Sequence, residues 1–260
     1  MKKAIKKRAL FIASESFRQC SKKKGGKKTM FSLDNLIKQY TDKRHVFSVM
    51  IELCTICNWN CDYCYLENHS EYGISLDELK VLLLELREAG CFQITYTGGE
   101  IFLRKDIWDI IKFTRSLGFE VILFTNFSLL TEKQIDDLKK YNIAKISCSI
   151  FSLNNEINNS FIHSSNESLK NVLSNINYAK KLGISVEIKV MIMKFNYEEI
   201  NDFILYSQQN EIPVIFDYQI LPNRSCDTSN IKKYMVEGAN LKKMIMLDDR
   251  GYNNYKSVMK

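Results

Sequence analysis

Six short strand-like runs alternate with helical segments along most of this 260-residue chain. Alternation of this kind predicts a parallel sheet whose strands are joined by right-handed crossover helices. Stretches of consecutive apolar residues, such as 121–124, are typical of buried parallel strands. We therefore expect an α/β fold, an open partial (β/α)6 barrel similar to a TIM barrel, with ligands at the carboxyl ends of its strands. The predicted strands are 46–54, 92–97, 119–125, 143–150, 184–193 and 214–221, and the predicted crossover helices are 75–89, 105–117, 132–141, 168–182 and 198–210.

Local signals mark the ends of several helices. Ser75 followed by Glu78 is a capping-box pattern at the start of the first crossover helix, and Gly90 directly follows that helix. A further helix is predicted ahead of the first strand, over 30–43. The Asn- and Ser-rich stretch 152–166 is assigned to a connection after the fourth strand.

Three cysteines, Cys57, Cys61 and Cys64, lie within eight residues directly after the first predicted strand, with the spacing C-x3-C-x2-C. Thiolates this close in a short loop can all point at one centre, which suits a metal ion or an iron–sulfur cluster. Three thiolates leave one iron of a four-iron cluster without a protein ligand, and that iron can bind a small molecule. The three cysteines are therefore candidate metal ligands rather than nucleophiles.

Two other interpretations of the cysteines are weaker. Cys54 extends the run to four thiols, as in a structural zinc site, but zinc modules usually separate their cysteine pairs by roughly a dozen residues. Cys54 also continues the alternation of the first strand, which predicts a buried apolar residue, and Cys91 and Cys148 are predicted core residues. A disulfide framework does not suit 8 Cys in 260 residues without a secretory signal, so a reducing, cytoplasmic location is expected.

The positive charge of the chain is concentrated at its start. The formal net charge is +7, and residues 1–28 carry eleven Lys or Arg against one acidic residue, Glu15. Such a segment can bind an acidic peptide, nucleic acid or a membrane surface. A solvated, mobile extension is the favoured interpretation, and nucleic acid is not expected as a partner. No apolar run reaches membrane-spanning length, so no membrane partner is expected either.

A second motif follows the second strand. Residues 97–106 read T-G-G-E-I-F-L-R-K-D. Placed one β/α unit after the three-cysteine loop, this stretch resembles the T-G-G-E-P-x-x-R-x-D signature of radical S-adenosylmethionine (SAM) enzymes. Ile101 stands where that family usually has proline.

Further positions extend this resemblance over about residues 46–222. Thr125 and Asn126 match the start of the family's T-N-G, with Phe127 in place of glycine. Residues 196–200 resemble its N-x-x-E-I/L motif. The folded part of the chain is thus similar to this family nearly throughout.

The resemblance implies two cofactors, a [4Fe-4S] cluster and SAM, and a partner that donates electrons, such as a flavodoxin or a ferredoxin. The reduced cluster would cleave SAM to a 5′-deoxyadenosyl radical, which abstracts hydrogen from a substrate. In the family, two glycines let the backbone approach the ligand, and acceptors of the Gly-Gly-Glu turn bind the SAM amino group. By the resemblance, the cluster ligands are Cys57, Cys61 and Cys64, and the residues that contact SAM are Tyr63, Gly98, Gly99, Glu100, Asn126, Ser149 and Tyr218.

One stretch departs from the family pattern. After the fourth strand, many relatives carry His-Asp and then an Arg that pairs with the SAM carboxylate, whereas residues 158–163 read N-N-S-F-I-H. His163 is a weak substitute for this arginine, and a loop histidine without a ligand is the favoured interpretation. The departure implies either weaker binding of SAM or another contact for its carboxylate.

The motifs are most similar to those of radical SAM enzymes that modify ribosomally made peptides or proteins, the SPASM type. Such enzymes carry a C-terminal auxiliary-cluster domain rich in cysteine, and here Cys226 alone lies beyond the sixth strand, so no such domain is expected. Two alternatives stay open: a cluster-binding remnant that acts with a partner, and an enzyme of cofactor or small-molecule biosynthesis. The predicted organisation is a basic N-terminal extension with a short helix (1–45), a radical SAM core (46–222) and a short C-terminal extension (223–260).

Overall fold

The structure, a computed structural model, describes residues 33–164 and 168–248. The basic segment predicted over 1–28 lies outside the described residues, and the three-part domain organisation stays a prediction. None of the helices in the described ranges is long and apolar enough to cross a membrane. In chain order the elements are α1 (Leu33–Asp42), β1 (Ser48–Glu52), α2 (Leu76–Glu88), β2 (Gln93–Thr97), α3 (Ile107–Ser116), β3 (Glu120–Thr125), α4 (Glu132–Lys140), β4 (Lys145–Ser149), α5 (Asn155–Ile162), α6 (Ser168–Lys181), β5 (Val186–Met191), α7 (Ile200–Asn210), β6 (Val214–Asp217), α8 (Ser229–Tyr234) and α9 (Gly238–Leu247).

The six strands form one parallel sheet in chain order, with β1 at one edge and β6 at the other. Right-handed crossovers between successive neighbours put the connecting helices on the same face of such a sheet. Among the described strands, β1 and β6 each pair with one neighbour, so the sheet is open rather than closed into a full barrel. The predicted α/β fold, an open partial (β/α)6 barrel, is confirmed.

One face of the sheet is apolar and lies against the helices. On this face the Tyr96 hydroxyl is 2.5 Å from the Thr114 hydroxyl of α3. Fully buried apolar residues follow the same alternation on the neighbouring strands: Ile94, Val121, Leu123, Ile146, Cys148, Ile188 and Val190. Burial of this face between strands and helices supplies the core of the fold.

The opposite face, here called the uncovered face because the connecting helices lie on the other one, carries polar side chains in register across the sheet, and some of them, such as Gln93 and Ser147, are buried. Glu187 on this face accepts hydrogen bonds from the Lys145 ammonium at 2.8 Å and from the Ser147 hydroxyl at 2.9 Å. Apolar residues also occur on this face, as at Ile122 and Phe124, so the prediction of continuous apolar strands holds for part of the sheet, including 121–124. The uncovered face consists of Ser48, Met50, Glu52, Gln93, Thr95, Thr97, Glu120, Ile122, Phe124, Lys145, Ser147, Ser149, Glu187, Lys189, Met191, Ile215 and Asp217.

Local predictions in the first half of the chain are confirmed. The Ser75 hydroxyl accepts a hydrogen bond from the Glu78 amide at 3.3 Å, and the Glu78 carboxylate accepts one from the Ser75 amide at 3.2 Å. This is the capping box expected at the start of α2. Cys54, Cys91 and Cys148 are buried, as expected of core residues.

The Asn- and Ser-rich connection contains a helix that the sequence did not predict, α5. Asn154 caps it, because its side-chain oxygen accepts hydrogen bonds from the amides of Glu156 and Ile157 at 2.9 and 3.2 Å. Phe161 and Ile162 are buried at the other end of the helix. Few residues of α5 are apolar, so no helical periodicity shows in the sequence.

The end of the sheet also differs from the prediction. β6 ends at Asp217 rather than at 221, and the chain then forms α8 and α9. Met193 and Met235 form an antiparallel bridge, and the Tyr234 ring lies 5.8 Å from the Phe161 ring, centroid to centroid. The residues after β6 therefore pack onto the loops that follow β4 and β5.

Arg104 is buried and joins the start of the segment between β1 and α2 to the end of that segment. Its Nη1 lies 2.7–2.8 Å from the carbonyl oxygens of Leu53, Tyr72 and Ile74. Its Nε and Nη2 donate to the Asp106 carboxylate at 2.8 and 2.7 Å, which holds the pKa of that carboxyl below its ordinary value. The arginine and aspartate of the second motif thus have a structural role.

Replacing Arg104 by lysine is expected to lower the free energy of unfolding by about 2–4 kcal/mol, because one ammonium group cannot satisfy three carbonyls and a carboxylate. Urea unfolding monitored by circular dichroism measures the loss. Arg87→Lys is a matched control, since the Arg87 guanidinium makes a long hydrogen bond of 3.4 Å to the Cys91 carbonyl. Equal losses in the two variants would contradict the role given to Arg104.

Candidate functional site

Two loops are joined by backbone hydrogen bonds at the carboxyl ends of β1 and β2. The Gly99 amide donates to the Cys54 carbonyl at 2.9 Å, and the Glu100 amide donates to the Ile56 carbonyl at 2.7 Å. These two bonds bring the three-cysteine motif into direct contact with the Gly-Gly-Glu motif. The two loops are the cysteine loop (53–64) and the Gly-Gly-Glu turn (98–100).

The two glycines are required by this contact. A Cβ atom at Gly98 would overlap the Cys54 carbonyl oxygen, and one at Gly99 would overlap the carbonyl oxygens of Thr55 and Ile56. The close approach that glycine permits is here between two protein segments. Within the described residues, the carbonyl oxygens of Gly98 and Gly99 accept no hydrogen bond from the protein, so both can serve a ligand.

The Glu100 side chain is fully buried. Its two carboxylate oxygens each lie 2.8 Å from the Thr125 hydroxyl, and they accept hydrogen bonds from the amides of Asn126 at 2.7 Å and Phe102 at 3.0 Å. Burial raises the pKa of this carboxyl, and the hydrogen bonds oppose the rise. Glu100 therefore ties β2 to β3 from inside the fold, and its contact with the SAM amino group stays a prediction.

Asn126 links the segment after β3 to the cysteine loop. Its side-chain nitrogen donates to the Asn58 side-chain oxygen at 2.8 Å, and its oxygen accepts from the Ser128 amide at 3.0 Å. Phe127 has a left-handed backbone, with φ 58°, which favours the glycine that the family usually has there. Its fully buried ring offsets this strain. Asn58 has no motif of its own and could not be found from the sequence.

Cys57, Cys61 and Cys64 are half-buried and form no disulfide. The Cys64 amide donates to the Cys61 carbonyl at 3.0 Å, and the Trp59 amide donates to the Cys57 sulfur at 3.4 Å. Burial raises the pKa of Cys57 to about 11, and burial also raises the pKa of Cys61 and of Cys64. Without a cation beside them, the three thiols are protonated at neutral pH.

The donor chemistry of this loop fits an iron–sulfur cluster. In the part of the chain that the structure describes, no three Cys, His, Asp or Glu side chains converge closely enough to hold a single metal ion. Three half-buried thiols in one loop are nevertheless the soft donors that bind such clusters. Iron would replace the thiol protons, so binding releases protons.

The other predicted SAM contacts lie farther along the sheet. Ser149 ends β4 on the uncovered face and is half-buried. Tyr63 packs its ring against Phe161, with the centroids 5.8 Å apart. Tyr218 follows β6, and its hydroxyl lies 3.3 Å from an Asp248 carboxylate oxygen. The structure therefore spreads these residues from the cysteine loop to the β6 edge.

A sequence model of the radical SAM superfamily matches residues 51–206, which is more than half of the chain. The chain belongs to the radical SAM superfamily. The cofactors of this superfamily are a [4Fe-4S] cluster and SAM. The matched region runs from the end of β1 into α7 and contains the cysteine loop and the Gly-Gly-Glu turn.

The proteins that this chain resembles have names that refer to different molecules: several sequence relatives are named for GTP, and some solved structures with a similar fold contain peptides. The GTP 3′,8-cyclase of Staphylococcus carnosus is 27% identical over 194 residues, which cover 70% of this chain and 57% of the cyclase. Streptococcus suis SuiB has a similar fold, with a TM-score of 0.64 at 15% identity over 87% of this chain and 51% of SuiB. The anSMEcpe structure with bound AdoMet and a peptide also has a similar fold. Its TM-score is 0.62 at 18% identity, over 82% of this chain and 61% of anSMEcpe. The chain thus spans between half and two thirds of these relatives.

Two residues of the radical SAM motif N-x-x-E hold the loops after β4 and β5 together. The buried Asn196 side chain donates to the carbonyls of Phe151 at 2.6 Å and Met191 at 2.9 Å. The Glu199 carboxylate accepts a hydrogen bond from the Ser152 hydroxyl at 2.8 Å. The motif marks both positions in the sequence, but their distant partners leave no signal there.

Gly99→Ala is expected to displace the cysteine loop, since the added Cβ meets two backbone carbonyls that cannot rotate away. We expect a loss of about 2–3 kcal/mol in unfolding free energy and a lower iron content after reconstitution. Urea unfolding and iron analysis measure the two effects. Gly90→Ala is the control: with φ +83° and nothing within 4 Å of its Cβ, it should lose about 1 kcal/mol and keep its iron. Normal iron content in Gly99→Ala would refute this account of the loop.

Proposed function

We propose that this chain is a radical SAM enzyme that removes a hydrogen atom from a ribosomally made peptide or protein. The contact between the cysteine loop and the Gly-Gly-Glu turn is the observation that carries the proposal, because it sets three thiols beside two available carbonyls. Both loops lie at the carboxyl edge of a partial barrel, where such folds bind ligands. The residues proposed to hold the cluster are Cys57, Cys61 and Cys64.

SAM would bind across the same edge. When bound, the cluster and SAM supply a 5′-deoxyadenosyl radical that takes the hydrogen atom from the substrate. The Gly98 and Gly99 carbonyls would accept hydrogen bonds from the SAM ammonium group, and Glu100 and Asn126 would hold that turn in place. Contacts to the ribose and adenine are proposed for Ser149, Tyr63 and Tyr218.

The charges of the uncovered face favour a peptide over a nucleoside triphosphate. Triphosphates are recognised by clusters of Arg and Lys. Lys145 is paired with Glu187 at 2.8 Å, and the Lys189 ammonium lies over the Phe124 ring, 3.8 Å from its centroid. SuiB has been solved with its precursor peptide, which agrees with a peptide substrate. On the strands of this face, four acidic residues stand against two basic ones: Glu52, Glu120, Glu187 and Asp217 against Lys145 and Lys189.

A second candidate is a radical SAM enzyme of cofactor or small-molecule biosynthesis. Similarity to GTP 3′,8-cyclase, which is 27% identical over 194 residues, favours it. Either enzyme would take electrons from a donor such as a flavodoxin or a ferredoxin. A reducing, cytoplasmic setting is proposed for both, in keeping with seven free cysteines among the described residues.

Anaerobic reconstitution with iron and sulfide, followed by SAM and dithionite, tests the proposed activity. We expect 5′-deoxyadenosine from the wild-type chain at a level at least about tenfold above that from a Cys57→Ala, Cys61→Ala, Cys64→Ala variant. Iron and sulfide analysis of both proteins shows whether the cluster has been loaded. A loaded wild-type chain that releases no nucleoside would refute the activity and favour a cluster-binding protein that acts with a partner.

GTP is the defined probe for the substrate class. Because the described strands of the uncovered face carry two lysines, one paired with Glu187 and one over the Phe124 ring, we expect GTP to remain unconverted and to leave the rate of SAM cleavage unchanged. Chromatography of the nucleotide after the same reaction measures this. A SAM-dependent product from GTP would overturn the peptide proposal and leave the radical SAM activity intact.

A further inference from the structure

The last turn of α5 contacts the cysteine loop through its backbone. The Asn60 amide donates to the Ile162 carbonyl at 2.9 Å, and the Asp62 amide lies 3.3 Å from the Phe161 carbonyl. The last four carbonyls of a helix have no partner within the helix, so they are free to accept such bonds. One end of α5 therefore holds the middle of the loop that carries the three cysteines.

A side-chain contact reinforces these bonds. His163, the C-cap residue of α5, places its Nε2 2.6 Å from an Asp62 carboxylate oxygen. Asp62 stands between Cys61 and Cys64 in the sequence. His163 thus has a partner in the cysteine loop, and the prediction that it binds no ligand stays a prediction.

The backbone of His163 is left-handed, with φ 49° and ψ 46°. Glycine adopts this conformation without strain and is the usual residue at such a helix end. The chain follows this rule after α2, α3 and α6, where Gly90, Gly118 and Gly183 have positive φ. Like Asn142 after α4 and Glu211 after α7, the histidine at the end of α5 accepts strain that glycine would avoid, and its side chain contacts Asp62 of the cysteine loop.

Aromatic packing holds the same junction from the other side. The Phe161 ring stacks on Tyr63 of the cysteine loop, with the centroids 5.8 Å apart and an interplanar angle of 20°. Phe161 also stacks on Phe195 at 4.3 Å. Residues on both sides of Cys61, and the residue directly before Cys64, therefore contact the end of α5.

We propose that His163 is a positioning residue that, through Asp62, holds Cys61 and Cys64 in the arrangement that binds the cluster. The consequence for the cluster rests on the proposed function, whereas the effect on the loop does not. His163 would act on the cysteines through the shape of the loop and would touch neither SAM nor substrate.

Hydrogen exchange of residues 57–64 in the full-length, iron-free chain tests the contact itself. We expect His163→Gly and Asp62→Ala each to speed this exchange by about two- to fivefold, and the double variant to be no faster than either single variant. Asp62→Asn keeps an acceptor oxygen and should retain most of the protection. The rate at which a chelator removes iron from the reconstituted variants is the second measurement, and it should rise in the same order.

Glu211→Gly is the matched control. Glu211 is also a left-handed C-cap residue, with φ 50°, and its carboxylate pairs with Lys180 at 3.2 Å, outside the cysteine loop. This variant should leave exchange and iron release of the loop unchanged. Unchanged exchange in His163→Gly, additive effects in the double variant, or an equal effect in Glu211→Gly would overturn the proposal. Failure of the wild-type chain to bind iron would refute the proposed function while the exchange result still decides the role of His163.

Discussion

The site depends on two backbone hydrogen bonds between the turn after β2 and the loop after β1. They form because neighbouring parallel strands end at the same edge and because Gly98 and Gly99 leave room for the carbonyls of the cysteine loop. Arg104 strengthens the arrangement by binding Leu53 at the start of that loop and the carbonyls of Tyr72 and Ile74 beyond its end. The glycines and the arginine of the motif at 97–106 thus shape the loop that contains the three cysteines.

The sheet topology determines where chemistry can take place. Six strands in chain order leave one face to the helices and one face open. Apolar residues fill the first face, while the second carries charges that are partly neutralised in pairs, as in Lys145 with Glu187. The charge of this second face is thus set by strand residues that no sequence motif marks.

Much of this architecture could be predicted from the sequence. Strand–helix alternation predicted the open barrel, the capping box at Ser75 set the start of α2, and the spacing of the motifs placed two loops at one edge. The sequence failed where the deciding contacts are distant: the burial of Glu100 against Thr125, and the bond between His163 and Asp62. α5 was missed because an Asn cap and two buried apolar residues stabilise it without an apolar stripe.

Electron paramagnetic resonance of the reconstituted, reduced chain tests the central claim most directly. The claim is that three cysteines bind a [4Fe-4S] cluster and leave one iron open to SAM. The account predicts a signal of a reduced four-iron cluster that changes when SAM is added and is absent from the Cys57→Ala, Cys61→Ala, Cys64→Ala variant. A signal that SAM leaves unchanged, or one that persists in the variant, would contradict it.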